Sequence, residues 1–184
     1  MGMDPNEARA RFESLFAAHY GDLTRYATRR VGADAASDVV SSTFLVAWRR
    51  LADIPADHAR AWLYATARKV IANELRGRDR RERLDQHVRA AVRPADDPTG
   101  VIDEQLRVRA VLAQLSPRDQ ELLRLTEWDG LDNDEAAAAL GCRRAALKVR
   151  LHRARRRFAE RLNATEQTTQ TALPVELIER STTP

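Results

Sequence analysis

Cysteine is almost absent. Cys142 is the one thiol among 184 residues, so no internal disulfide can form, and the chain suits a reducing compartment. Glycine and proline are also sparse, at seven each. No glycine-rich stretch has the form of a phosphate-binding loop. Runs of β-branched residues are short, which argues against sheets. No apolar run approaches the roughly 20 residues that cross a bilayer, and the stretch from Met1 to Phe12 is too charged for a secretory signal. The expectation is a cytoplasmic protein without membrane insertion. His19, His58, His87 and His152 are scattered and have no Cys/His cluster beside them, so no metal site is expected. No Ser/His/Asp set can be assembled either. The expectation is no enzyme, no catalytic residues and no cofactor.

What the chain has instead is helix chemistry. Alanine, leucine and arginine dominate, with hydrophobic residues at 43% and charged residues at 32%, a balance that suits amphipathic helices better than disorder. The net charge is only +4, but the basic residues are clustered, so local fields exceed what the average suggests.

Apolar residues recur at three- and four-residue steps from about Glu7 to Val31, through Phe12, Leu15, Phe16, His19, Tyr20, Leu23, Tyr26 and Ala27. Gly32 ends this first helix, and Asp34 is a candidate cap for the second. The second helix places Val39, Val40, Thr43, Phe44, Ala47, Trp48 and Leu51 on one side, with Asp38, Ser41, Ser42, Leu45 and Arg49 towards the other. Pro55 interrupts the pattern within a short polar loop, Ala52 to His58. A third helix follows from about Ala59 to Arg83, with Trp62, Leu63, Thr66, Ala67, Val70 and Ile71 inward. These three helices read as a bundle.

The periodicity fails from about Leu84 to Gly100, where Pro94, Asp96, Asp97 and Pro98 are linker residues. A second helical unit then runs from about Val101 to Leu162. Ser116-Pro117 has the form of a helix start, and Gly130 follows that helix. Asp132 and Glu135 have capping-box spacing, and Gly141 ends a very short helix of Ala136 to Leu140. The last helix is expected to stop near Leu162. The polar Asn163 to Thr171 then reads as free chain, followed by an apolar patch at Leu173, Val175, Leu177 and Ile178. The expected architecture is all-α, with domains at 7–83 and 106–162, a linker at 84–105 and an extension at 163–184.

A short helix, a glycine turn and a longer basic helix are the parts of a helix-turn-helix. On the long helix, Leu147, Leu151, Ala154, Phe158 and Leu162 form an apolar stripe, with Lys148, His152, Arg153 and Arg156 opposite. Arg143, Arg150, Arg155 and Arg157 lie around the flanks, and Glu160 offsets them. A charge run is ordinarily a solvated face, but the punctuation around this one favours DNA, whose base edges and phosphates accept from arginine and lysine. On the third helix, Ala65, Arg68, Lys69, Ala72 and Arg76 form a second basic strip that leads into Arg78. Small alanines there would let a phosphate backbone approach, and Tyr64 is a candidate stacking ring. Trp48 and Trp62 sit on apolar stripes and are expected in the core. Cys142 reads as a small structural thiol.

The segment Ala36 to Trp48 (ASDVVSSTFLVAW) resembles the second conserved helix of the extracytoplasmic-function sigma factors of the sigma-70 family. Ala61 to Arg68 (AWLYATAR) resembles the start of their −10-reading helix. Leu115 to Arg118, Gly130-Leu131, Ala139 to Cys142 and Leu147 to Arg155 resemble their region 4. The resemblance covers about Phe12 to Leu162. It implies an initiation factor with no catalysis of its own, whose partners are core RNA polymerase and promoter DNA, with an anti-sigma factor as a further possible partner. It places the clamp coiled coil of the β′ subunit on Asp38, Ser41, Ser42, Leu45 and Arg49, and region 4 on the β flap. It assigns −35 recognition to Arg143, Arg144, Lys148, Arg150, His152, Arg153, Arg156 and Arg157. It assigns −10 contacts to Asp53, Ile54, Asp57, His58, Tyr64, Arg68, Lys69, Asn73 and Arg76, with a flipped base held by the loop Ala52 to His58. Ser41 and Ser42 stand where the family usually has glutamine and an acidic residue, and Lys69 stands where asparagine is common. The competing reading of the same helix-turn-helix is a stand-alone regulator whose N-terminal bundle binds an effector or partner.

Overall fold

The computed structural model describes residues 4–85 and 100–171, and all regular structure among them is helical. Helix α1 is Pro5–Val31, started by Asp4, whose carboxylate accepts from the Asn6 and Glu7 amides at 2.8 and 3.3 Å. Asp4 and Pro5 together set a start two residues earlier than the apolar periodicity predicts. The helix ends at Gly32, whose φ of +82° is in the left-handed range and whose N–H donates to the Thr28 carbonyl.

Gly32 serves both helices, because α2 (Ala33–Arg49) begins directly after it with no side-chain cap. Asp34 therefore lies inside the first turn and does not cap the helix as expected; there its charge complements the positive helix end. Two 3₁₀ turns, Leu51–Asp53 and Ala56–His58, lead from α2 into α3 (Ala59–Asp85). The connection is anchored by buried Leu51 and Ile54, and Arg11 of α1 donates to the Ile54 carbonyl at 2.5 Å.

Helix α1 packs on α2, and α3 packs on both. Leu23, Tyr26, Val39, Phe44, Ala47, Leu63, Tyr64 and Ala67 are each at most 4% exposed and form the centre of this bundle. They fall at three- and four-residue steps along each helix, as an apolar stripe must to face a neighbour.

The linker expected around Pro94 lies largely outside the described residues. Helix α4 is Gly100–Ala113 and α5 is Pro117–Leu123, the latter capped by Ser116, whose hydroxyl accepts from the Asp119 amide. A π-helical turn, Arg124–Trp128, continues α5, and the Leu131 amide closes on the Leu125 carbonyl around Gly130 (φ +65°). Helix α6 is Asn133–Leu140 and has the full capping box: Asp132 accepts from the Glu135 amide, and Glu135 accepts from the Asp132 amide. The box places the start of α6 three residues ahead of the expected Ala136.

Helix α7 runs over Arg144–Thr171. Residues 163–171, expected as free chain, continue this helix: no glycine or proline interrupts them, and the Thr165 hydroxyl bonds back to the Arg161 carbonyl at 2.9 Å. The apolar patch Leu173, Val175, Leu177 and Ile178 lies outside the described residues.

Two compact units result. One joins the N-terminal bundle with residues 125–147, and the other joins α4 and α5 with α7 from Lys148 onward. The units thus cut across the chain segment 106–162. In the first, α6 packs on α3. In the second, Val111, Leu112, Leu115, Leu122, Leu123, Leu151 and Ala154 are buried. Arg157 donates to Asp119 at 2.8 Å and Arg161 to Gln114 at 3.1 Å.

Candidate nucleic-acid and partner interfaces

Helices α6 and α7 are joined by Gly141 in the left-handed conformation, with φ +64° and ψ +38°. The Cys142 amide returns to the Ala137 carbonyl at 2.9 Å, which satisfies an orphan carbonyl of α6. A short helix, a left-handed glycine turn and a longer helix follow one another here in helix-turn-helix order. Leu147, Leu151 and Ala154 are buried on one side of α7, with Phe158 and Leu162 half-buried below them. Arg143, Arg144, Lys148, Arg150, His152, Arg153, Arg156 and Arg157 are all exposed. The acidic offset is larger than Glu160 alone: Arg144 pairs with Asp134, Arg157 with Asp119 and Arg156 with Glu160. Among the described residues no ion pair ties Lys148, Arg150 or Arg153, which form the middle of the basic face.

Helix α3 supplies the second basic strip. Arg68, Lys69, Asn73 and Arg76 are exposed, and Ala65 and Ala72 beside them are half-buried, which keeps the surface low. Between α2 and α3 lies a cavity of about 280 Å³ lined by Val46, Arg50, Trp62, Ala65, Thr66, Lys69, Val70 and Asn73. Trp62, expected in the core, is half-buried and forms part of this wall.

Two of the nine candidate −10 residues do not face outward. Ile54 is 3% exposed and plugs the bundle; an aliphatic side chain next to Pro55 gains more from burial than from solvent. Tyr64, proposed to stack on a base, is 1% exposed, with its ring edge-on to Tyr26 at 4.9 Å and beneath the Arg60 guanidinium. Burial and the nearby Asp129 charge push its phenol up to about 12. Both are core residues in this structure. Asp53, Asp57 and His58 of the connection are exposed.

The candidate partner face on α2 is open throughout: Asp38, Ser41, Ser42, Leu45 and Arg49 are all exposed, Leu45 at 50%. Trp48, expected in the core, is 46% exposed at the end of this face and stacks edge-on with Phe12 at 5.1 Å. Phe16 and Tyr20 of α1 continue the aromatic surface, with Phe16 lying 4.7 Å from Phe44. The error has a simple cause. The stripe read from periodicity is wider than the contact a single neighbouring helix can cover, so its edge stays in solvent.

Sequence reading missed an ionic cluster in the first compact unit. Asp129, whose side chain is fully buried, pairs with Arg29 and, at 3.1 Å, with Arg30. Arg60 donates to the Asp129 and Gly130 carbonyls at 2.6 and 2.9 Å and pairs with Glu135 at 3.0 Å. His19 lies near this group, and burial together with the Arg60 charge holds its imidazole below the ordinary value. The partners are 69 to 100 residues apart in sequence, so no local motif signals the cluster.

Comparison with known proteins agrees with this geometry. The sigma-70 region 2 family model matches residues 15–81 and the sigma-70 region 4 model matches residues 105–158. The ECF RNA polymerase sigma factor SigL of Mycobacterium tuberculosis is 33% identical over 149 residues, covering 78% of this chain and 84% of that protein. The RNA polymerase sigma factor CnrH of Cupriavidus metallidurans is 31% identical over 143 residues, covering 69% and 73%. Among solved structures, CnrH in complex with the cytosolic domain of CnrY superposes with a TM-score of 0.60 at 29% identity, over 83% of this chain and 88% of that one. The sigma factor RpoE of Bartonella quintana, in complex with the anti-sigma factor NepR, superposes with a TM-score of 0.62 at 25% identity, over 83% and 96%.

The fold and the two family matches therefore define a sigma-70-type protein built from regions 2 and 4. Within that class the chain belongs to the ECF RNA polymerase sigma factors. It is a transcription initiation factor, and the stand-alone regulator is set aside.

Proposed function

We propose that this sigma factor binds core RNA polymerase through the exposed face of α2, with Asp38, Ser41, Ser42, Leu45 and Arg49 on the β′ clamp coiled coil and the aromatic edge at Trp48 extending the contact. Exposed leucine and tryptophan within a polar rim suit a protein partner. Region 4 rests on the β flap and reads the −35 element with α7, chiefly through Lys148, Arg150 and Arg153. The α3 strip of Arg68, Lys69, Asn73 and Arg76 tracks the non-template strand of the −10 element. Asp53, Asp57 and His58 of the connection before it lie beside a flipped base. The factor supplies no catalysis of its own and acts in the cytoplasm, where the polymerase works. An anti-sigma factor is its proposed regulator, because one of the matched structures is a sigma factor in complex with an anti-sigma factor.

The observation that carries this reading is the coexistence, in one chain with both sigma-70 regions, of an open α2 face and two separate basic surfaces. Co-purification with core polymerase, followed by permanganate footprinting on a promoter template, tests it. The expected result is a stoichiometric complex that makes −10 thymines reactive. A chain that binds promoter duplex yet neither associates with core nor opens DNA contradicts it.

A further inference from the structure

The cluster around Asp129 has the form of an occupied anion site. Arg29 and Arg30 each engage a different oxygen of one carboxylate, Oδ1 and Oδ2. A phosphodiester offers the same feature, two charged non-bridging oxygens, to a pair of guanidinium forks. Arg60 completes the group by donating to the carbonyls of Asp129 and Gly130.

Arg30 and Arg60 have supports besides the acidic side chains they face. Arg30 lies 3.6 Å over the Tyr26 ring and also donates to the Tyr26 carbonyl at 3.3 Å. Tyr26 meets Tyr64 edge-on, and Arg60 lies 5.6 Å over the Tyr64 ring. The two buried tyrosines thus fix the planes of two guanidiniums from within the bundle, so the site is preorganised.

The charges divide unevenly. Arg29, Arg30 and Arg60 face Asp22, Asp129 and Glu135, the Arg60–Asp22 separation being 4.0 Å. Asp129 and Glu135 both belong to residues 125–147. Departure of that segment from α1 and α3 removes two of these carboxylates and none of the three guanidiniums. There is reason for the segment to leave. Promoter −10 and −35 elements lie about 25 base pairs apart, on the order of 85 Å at about 3.4 Å per pair. Lys69 of α3 and Arg144 of α7 nevertheless belong to the same compact unit.

We propose that Arg29, Arg30 and Arg60 form a binding site for a backbone phosphate of DNA, and that Asp129 fills this site as an internal substitute for the phosphate until DNA displaces it. The inference rests on the promoter-binding reading and adds to it a contact on α1 and at the start of α3, together with a competition between closed and DNA-bound states.

The test is fluorescence anisotropy with the full chain and a fluorescein-labelled 20-nucleotide single strand of mixed sequence, across a salt series. Asp129→Asn should tighten binding about fivefold at 100 mM salt. The salt slope should steepen by about 0.7, one added phosphate contact on single-stranded DNA. Asp34→Asn, the same charge change on the exposed start of α2, should give under a twofold gain. Adding Arg29→Gln and Arg60→Gln to Asp129→Asn should abolish the gain, whereas the same pair in the wild-type chain should change affinity less than twofold, because the site is filled. Equal gains for Asp129→Asn and Asp34→Asn, or a gain that survives loss of the arginines, overturns the proposal. Binding of inorganic phosphate that improves without any improvement for DNA also overturns it.

Asp129→Asn strips a buried pair and can unfold the chain, so a second measurement uses Asp129 intact. With Cys142→Ser, spin labels at Thr28→Cys on α1 and Ala138→Cys on α6 should move apart at saturating oligonucleotide. No change in their distance overturns the proposal. Run-off transcription by the wild-type chain reports separately on the promoter reading: initiation without the Asp129 effect removes the phosphate site alone, and absent initiation removes the reading beneath it.

Discussion

At single residues, burial decides which side chains are free to bind. Tyr64 is the sharpest case. Its phenol is pushed up to about 12, first by burial and then by the Asp129 charge, while an unfolded tyrosine ionises near 10. A folded value above the unfolded one means that the contribution to stability is complete below about pH 10 and is lost as pH rises through about 12. Wild-type protein should lose stability over that window, and Tyr64→Phe should lose less, as read from denaturant midpoints at pH 9 to 12. Tyr64→Ala should cost on the order of 3–5 kcal/mol at pH 7. A mild effect would return Tyr64 to the list of surface residues. Asp132 works in the opposite direction. The Glu135 amide bond holds its carboxyl below the ordinary value, so its capping is present at neutral pH and fades as pH falls through that lowered value. Asp132→Ala should cost about 1 kcal/mol at pH 7, with the gap to wild type closing in acid. On α7, Arg150→Ala and Arg153→Ala should each weaken −35 duplex binding while leaving core binding intact. A base contact costs about 1–3 kcal/mol at one position, whereas a phosphate contact makes the salt slope shallower by about 1. Unchanged affinity in both variants would remove α7 from recognition.

At the level of elements, local chemistry was readable wherever the cause itself is local. Ser116-Pro117, the Asp132/Glu135 box and Gly141 each act within a few residues, and each stands where its residue type predicts. Gly141→Ala tests one of them: a β-carbon at φ +64° should cost about 1–2 kcal/mol. A thermal midpoint within error of wild type would show that the turn tolerates it. The end of α7 departs from the expected stop near Leu162 because polarity alone does not end a helix: Asn163 to Thr171 holds no helix breaker and reads equally well as a solvated helix. Chains cut after Leu162 and after Thr171 should differ in ellipticity at 222 nm by about nine helical residues, 163–171. Equal ellipticity would restore the free-chain reading.

For the whole molecule, periodicity supplied the helices and resemblance supplied the two sigma regions, but neither reports which surfaces meet. The exposed edge of Trp48, Phe16 and Tyr20 looked like core because a helical stripe carries no record of its neighbour's width. The Arg29–Arg30–Arg60 group around Asp129 was invisible because its members come from opposite halves of the chain. The candidate surfaces on α2, α3 and α7 were legible because each lies along one helix. Their joint role as a promoter-specificity factor is the central claim, and reconstituted run-off transcription tests it most directly. Core polymerase alone and core with this chain would be compared on a library of promoter-like templates. The account predicts transcripts only with the chain present, from templates sharing one −35 and one −10 sequence, and fewer open complexes when Lys69→Ala replaces wild type. Core polymerase that initiates no differently with the chain than without it, while the chain still binds duplex DNA, would contradict it.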